Sequence, residues 1–113
     1  MGGKIPGSFV KRPPKWKHIG YDQAGNKAYE GRSENDSGIL IALVSQDQVE
    51  VDKKLWHVSI SHRDKDNQPD RLPTWDEMKS AKYQLIPADV PMVLIFPRKT
   101  VEYVNIYPTC LHL

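Results

Sequence analysis

A single cysteine, Cys110, leaves this chain without an internal disulfide or a thiolate cluster for zinc. A reducing, intracellular setting follows as the expectation. Long apolar runs are also missing. The longest, Gly38–Val44 and Pro91–Phe96, fall well short of the roughly 20 residues that a membrane-spanning helix needs. No apolar segment follows the basic residues near the N-terminus, so no secretory leader and no membrane partner are expected. The chain has no phosphate-cradling glycine loop and no dinucleotide fingerprint. A Gly-x-Ser-x-Gly elbow and a His-Glu-x-x-His helix are absent as well. The chemistries those motifs serve are set aside, and no cofactor or resident metal is expected. No internal repeat or low-complexity segment occurs.

What is present suits one modest domain. At 113 residues the chain can bury a single core. Nine prolines and seven glycines imply frequent loops. The formal charge of +2 is unevenly spread: residues 1–32 carry seven basic side chains against two acidic ones, and the remainder nine against twelve. Such asymmetry can mark contact with a phosphate backbone or an acidic partner. Lys11, Arg12, Lys15 and Lys17 would then be the contact residues. The plainer alternative is a solvated, flexible basic arm. Gly2, Gly3, Pro6, Gly7, Pro13 and Pro14 support neither a helix nor an interior strand, so residues 1–14 read as an arm and 15–113 as the domain.

Trp16–Tyr21 alternates, and Gln23–Asn26 supplies a turn before Lys27–Tyr29, which suggests a hairpin. Ile39–Ser45 reads as a buried strand, Val49 and Val51 as a short extension, and Leu55–His62 as the next strand. Asp64–Arg71 reads as a charged loop. Thr74 and Glu77 form a capping box, and Pro87 stops the helix they open, at about 74–86. Trp75, Met78, Ala81 and Leu85 recur at helical spacing as its buried stripe. Met92–Phe96 is apolar throughout, which predicts a strand covered on both sides. Val101–Tyr107 alternates again, as do Leu111 and Leu113 with Cys110 and His112, so the chain ends in a predicted strand. The expected class is α+β: an antiparallel or mixed sheet of about five strands with one main helix packed on one face.

Alternation also sorts the chemistry. Trp56, Val58 and Ile60 share one side of their strand; His57, Ser59 and Ser61 share the other. With Val104, Ile106, Leu111 and Leu113 also turned toward the helix, the opposite face would gather His57, Ser59, Ser61, Tyr103, Asn105, Tyr107 and His112. Tyrosine can stack a base or ribose while its hydroxyl hydrogen-bonds, so this face suits a nucleotide-type ligand. The alternative is that the N-terminal hairpin covers the face and its polar groups are satisfied internally. His57 and His112 could also run acid–base chemistry on a phosphodiester. His57-Val-Ser59 resembles the His-x-Ser/Thr element of two-histidine phosphoesterases, but His112 is followed only by Leu113, so the second copy is missing. Asp64, Asp66, Asn67 and Asp70 fail the EF-hand spacing because Pro69 stands where the sharp turn needs glycine. A solvated acidic loop is the better reading. Cys110 has no activating neighbour in sequence and defaults to core packing.

Three blocks, Trp56–Ser61, Arg71–Met78 and Tyr103–Leu113, resemble a family of small uncharacterised proteins encoded by bacteriophages and prophages. The resemblance covers roughly Leu55 to Leu113. In that family a tryptophan often follows the last block, whereas this chain stops at Leu113. The resemblance implies a viral origin and an accessory role in the host cytoplasm, acting on host machinery including host defence. It implies no activity. Three expectations follow. The first is a non-enzymatic binding protein that sequesters a nucleotide-type ligand or blocks a host protein. The second is a small phosphoesterase or nuclease using His57 and His112, and the third a nucleic-acid-binding accessory protein. An exposed sheet edge would also let two copies pair as a homodimer.

Overall fold

The computed structural model describes residues 13–32, 37–46 and 55–100. Within them lie six strands: β1 (Lys15–Tyr21), β2 (Lys27–Arg32), β3 (Ile39–Gln46), β4 (Leu55–Arg63), β5 (Pro69–Arg71) and β6 (Met92–Arg98). One helix, α1 (Trp75–Leu85), stands between the last two. All six strands join one sheet in the order β1-β2-β3-β4-β5, with β6 also on β4. The fold is mostly β.

The β1–β2 hairpin forms where the turn chemistry demands it. The Asp22 carboxylate Oδ1 accepts the backbone N–H groups of Ala24 and Asn26, each at 2.9 Å, and Gly25 takes the left-handed conformation at φ 87°. β2, β3 and β4 continue antiparallel, with β3 and β4 paired from Ile39↔Arg63 to Gln46↔Trp56. β6 runs parallel to β4, from Leu55↔Met92 to Ser61↔Arg98. Two parallel neighbours need a crossover rather than a tight turn, and α1 supplies it. The sheet is therefore mixed.

Period-two alternation decides what each side of the sheet buries. Leu40, Ala42 and Val44 of β3 and Val58 and Ile60 of β4 cluster with Ala81 of α1 and Ile86 just beyond it. Trp16, Tyr29, Trp56, Met78, Leu85, Val93 and Ile95 pack against this cluster. Burying one such aliphatic side chain contributes about 1.5–3 kcal/mol relative to leaving it in water. Polar contacts add register: Trp16 Nε1 donates to Ser80 Oγ at 3.0 Å, and Gln84 Nε2 donates to Ser80 Oγ and to the Pro14 carbonyl.

The helix starts on its capping box. Thr74 Oγ1 accepts the Glu77 N–H at 3.2 Å, and the Glu77 carboxylate accepts the Thr74 N–H at 2.8 Å. Asp76 and Glu77 in the first turn and Lys82 in the last suit the helix dipole. The chain leaves the helix at Ile86, directly before Pro87.

Several expectations need correction. Trp75 is 69% exposed, not part of the buried stripe. It lies about 120° around the helix from Ala81 at 100° per residue, at the margin of the buried arc. β6 is covered on one side only: Val93 and Ile95 pack on the core, while Met92, Leu94 and Phe96 are exposed. The sixth strand, β5, lies inside the stretch read as a charged loop and pairs with the last two residues of β4 across a bulge. The first hairpin extends the sheet edge-on beside β3 instead of lying over a face. Val49, Val51 and the predicted strands after residue 100 lie outside the described residues. No helix among the described residues is long and apolar enough to cross a membrane.

Candidate functional site

The side of the sheet opposite α1 carries the sequence-nominated residues of β4. His57 and Ser59 are half-buried there, whereas Ser61 is fully buried. The Ser61 hydroxyl finds no hydrogen-bond partner among the described residues. A buried hydroxyl left in that state costs about 1–3 kcal/mol. Register places His57 between Ser45 of β3 and Leu94 of β6, Ser59 between Leu43 and Phe96, and Ser61 between Ile41 and Arg98.

The register thus sets β4's polar side chains beside an apolar stripe that the sequence reading assigned to the interior. Met92, Leu94 and Phe96 are 45%, 43% and 38% exposed. They alternate along β6 and share one side. His57 meets Phe96 edge-to-face, with ring centroids 5.8 Å apart and planes at 81°. The Arg98 guanidinium carbon lies 5.5 Å from the Phe96 centroid, within cation–π range. One exposed aromatic ring therefore stands between an imidazole and a guanidinium. Such a surface can stack a flat heterocycle and neutralise an attached anion.

The other nominated residues divide between placed and undescribed. Lys15 and Lys17 are exposed on β1. Tyr103, Asn105, Tyr107 and His112 lie outside the described residues, as do Lys11 and Arg12. No second described histidine joins His57. His62 belongs to the helix-side face by alternation, and its ring is committed elsewhere.

That commitment is a polar network which sequence reasoning missed. His62 is buried, and its Nδ1–H donates to Asp70 Oδ1 at 2.7 Å. A carboxylate only accepts, so the proton sits on Nδ1. Arg71, the register partner of His62, forks onto both carboxylate oxygens of Glu77 at 2.9 Å each. One chain of contacts thus ties the end of β4 through β5 to the first turn of α1. The signal was available: His62 continues the Trp56, Val58, Ile60 alternation onto the apolar side, where a histidine needs a partner.

The network sets two carboxyl groups. Burial alone would raise the Glu77 pKa. The Arg71 fork, the Thr74 N–H and the positive field of Arg71 and His62 outweigh it, and the carboxyl titrates below its ordinary 4.5. Asp70 behaves alike: desolvation raises it, but hydrogen bonds from His62 and the Arg71 backbone bring it below 3.8. Both groups bind protons more weakly folded than unfolded. Their stabilisation is present above the ordinary values and is lost as pH falls from those values through the lower folded-state ones. Urea midpoints should therefore drop as pH is lowered from about 5 towards 3. Glu77→Gln should flatten that drop, and an unchanged slope would remove Glu77 from the account.

At the other end of the sheet Glu30, Arg32, Ser37, Ile39, Asp64, Lys65 and Asn67 line an open polar cleft. Asp64 caps its own loop there. Its Oδ1 accepts the backbone N–H groups of Asp66 and Gln68 at 2.9 and 3.0 Å. Asn67 adopts the left-handed conformation that closes the loop. Among the described residues no three His, Cys, Asp or Glu side chains converge as metal ligands.

Comparison with known proteins gives one family. The profile of a family described as "Domain of unknown function (DUF7694)" matches residues 48–113. That span is more than half of the chain, and the chain belongs to this family. No curated protein and no solved structure matches it.

Proposed function

We propose that this member of the family is a non-catalytic binding protein whose contact surface is the β4–β6 side of the sheet. A nucleotide-type ligand is the occupant that suits it. The observation that carries the reading is the exposed Met92–Leu94–Phe96 stripe, whose Phe96 ring contacts both His57 and Arg98. Aliphatic side chains give a heterocycle a dry bed, Phe96 gives it a ring to stack on, and Arg98 offers an anion its fork. The edge contact of His57 with Phe96 gives the imidazole a packing role beside the stacking ring, which suits binding.

The resemblance of Trp56–Ser61 and Arg71–Met78 to small phage proteins supports an accessory role in a host cytoplasm, with ligand sequestration rather than turnover as the outcome. Titration calorimetry of the full chain with adenosine and guanosine monophosphates tests the site. Saturable binding is expected, weakened about 5- to 100-fold by Phe96→Ala, as loss of one aromatic stacking partner implies. Binding that ignores both Phe96→Ala and His57→Ala would move the site elsewhere. Release of product from the nucleotide would replace binding with catalysis.

A further inference from the structure

The outer face of α1 holds a second unusual surface, on the opposite side of the sheet from the β4–β6 stripe. Trp75 and Tyr83 are 69% and 74% exposed. Lys79 and Lys82 are exposed between them. The four recur at i, i+4, i+7 and i+8, the spacing that puts side chains on one helical face. Over eight residues the helix rises about 12 Å, so the two rings stand at opposite ends of a short basic strip. Leu72, 53% exposed, extends the apolar character past the helix start. Neither lysine makes an ion pair among the described residues; Asp76 flanks the strip in the first turn.

Large apolar side chains left this open, and grouped, mark a contact surface more often than an isolated exposed residue does. The kind of partner follows from the lysines. Protein interfaces enrich tryptophan and tyrosine but deplete lysine from their centres. Single-stranded nucleic acid asks for the combination present here: aromatic faces for bases and mobile cations for phosphates. Stacking on Trp75 and Tyr83 requires unpaired bases, which excludes a duplex as the preferred form.

We infer that the outer face of α1 binds single-stranded nucleic acid, with bases stacked on Trp75 and Tyr83 and the backbone phosphates paired with Lys79 and Lys82. The inference is independent of the β4–β6 site, because none of its residues is shared.

Fluorescence anisotropy of a labelled 12-mer oligothymidine with the full chain tests it. Saturable binding is expected, with a blunt-ended duplex of equal length clearly weaker. Trp75→Ala and Tyr83→Ala should each weaken binding roughly 5- to 150-fold. Both residues are exposed, so circular dichroism should show the fold retained. Two phosphate contacts predict that raising salt from 50 to 200 mM weakens binding by about sevenfold. Lys79→Glu should weaken it further than Lys65→Glu, which changes net charge equally but sits off the helix. Absence of oligothymidine binding would overturn the inference, as would binding that survives the Trp75→Ala/Tyr83→Ala pair. Equal or tighter duplex binding would overturn the stacking role, and equal effects of the two lysine variants would reduce the surface to nonspecific charge.

Discussion

Replacing Ile60 with alanine is expected to lower stability by about 2–5 kcal/mol, the range for large-to-small changes in a packed interior. Ile60 is fully buried, sits between Ala42 of β3 and Pro97 of β6, and belongs to the cluster that includes Ala81 and Ile86. Its neighbours are held by strand pairing on both sides, so they cannot collapse into the space left behind. Leu94→Ala removes similar apolar bulk from β6 but from an exposed position, and should cost under about 1 kcal/mol. Urea denaturation followed by circular dichroism, with the slope checked for constancy, measures both. Equal losses would mean that the burial of the two sides of β4 and β6 has been misjudged.

Gly38→Ala should be nearly as damaging, at about 3 kcal/mol, the upper part of the usual overpacking range. A Cβ at this position would meet the Arg63 carbonyl oxygen and the His62 ring carbon Cε1 well inside van der Waals contact. The glycine is needed for space, since it lets the start of β3 close against the end of β4. His62 could swing aside only by giving up Asp70, and the carbonyl belongs to the paired backbone. Adding His62→Ala to Gly38→Ala should therefore restore little, because the backbone clash remains. Full rescue by the double variant would show that the ring, not the carbonyl, is the obstacle. Either result is read from the same denaturation curves.

The helix was legible because its signals are local. A threonine, a glutamate three residues later and a proline at the far end act within single turns, and Thr74, Glu77 and Pro87 stand where those rules place them. The first hairpin was legible for the same reason, through Asp22 and Gly25. The nominated site was legible in part. Alternation put His57, Ser59 and Ser61 on one side of β4, and the register agrees. It could not say that Ser61 would be buried without a partner among the described residues while Phe96, eleven residues past the helix, would lie against His57.

Two misreadings share one cause. Met92–Phe96 has apolar residues at every position, and Trp75 falls at the edge of a helical stripe. Neither pattern states how many of an element's sides another element will cover. Burial is a property of the assembled chain: β6 lies parallel to β4 with α1 across one face of the sheet, and that placement leaves Met92, Leu94, Phe96 and Trp75 to solvent. By itself the amino-acid order determined the periodicities, caps and turns, because these depend on neighbours a few bonds away. Tertiary structure alone decided which apolar side chains stay exposed, which histidine meets phenylalanine and which meets aspartate. His57 and Phe96 stand far apart along the chain, His62 and Asp70 only eight residues apart, and in both cases strand pairing brings the side chains together.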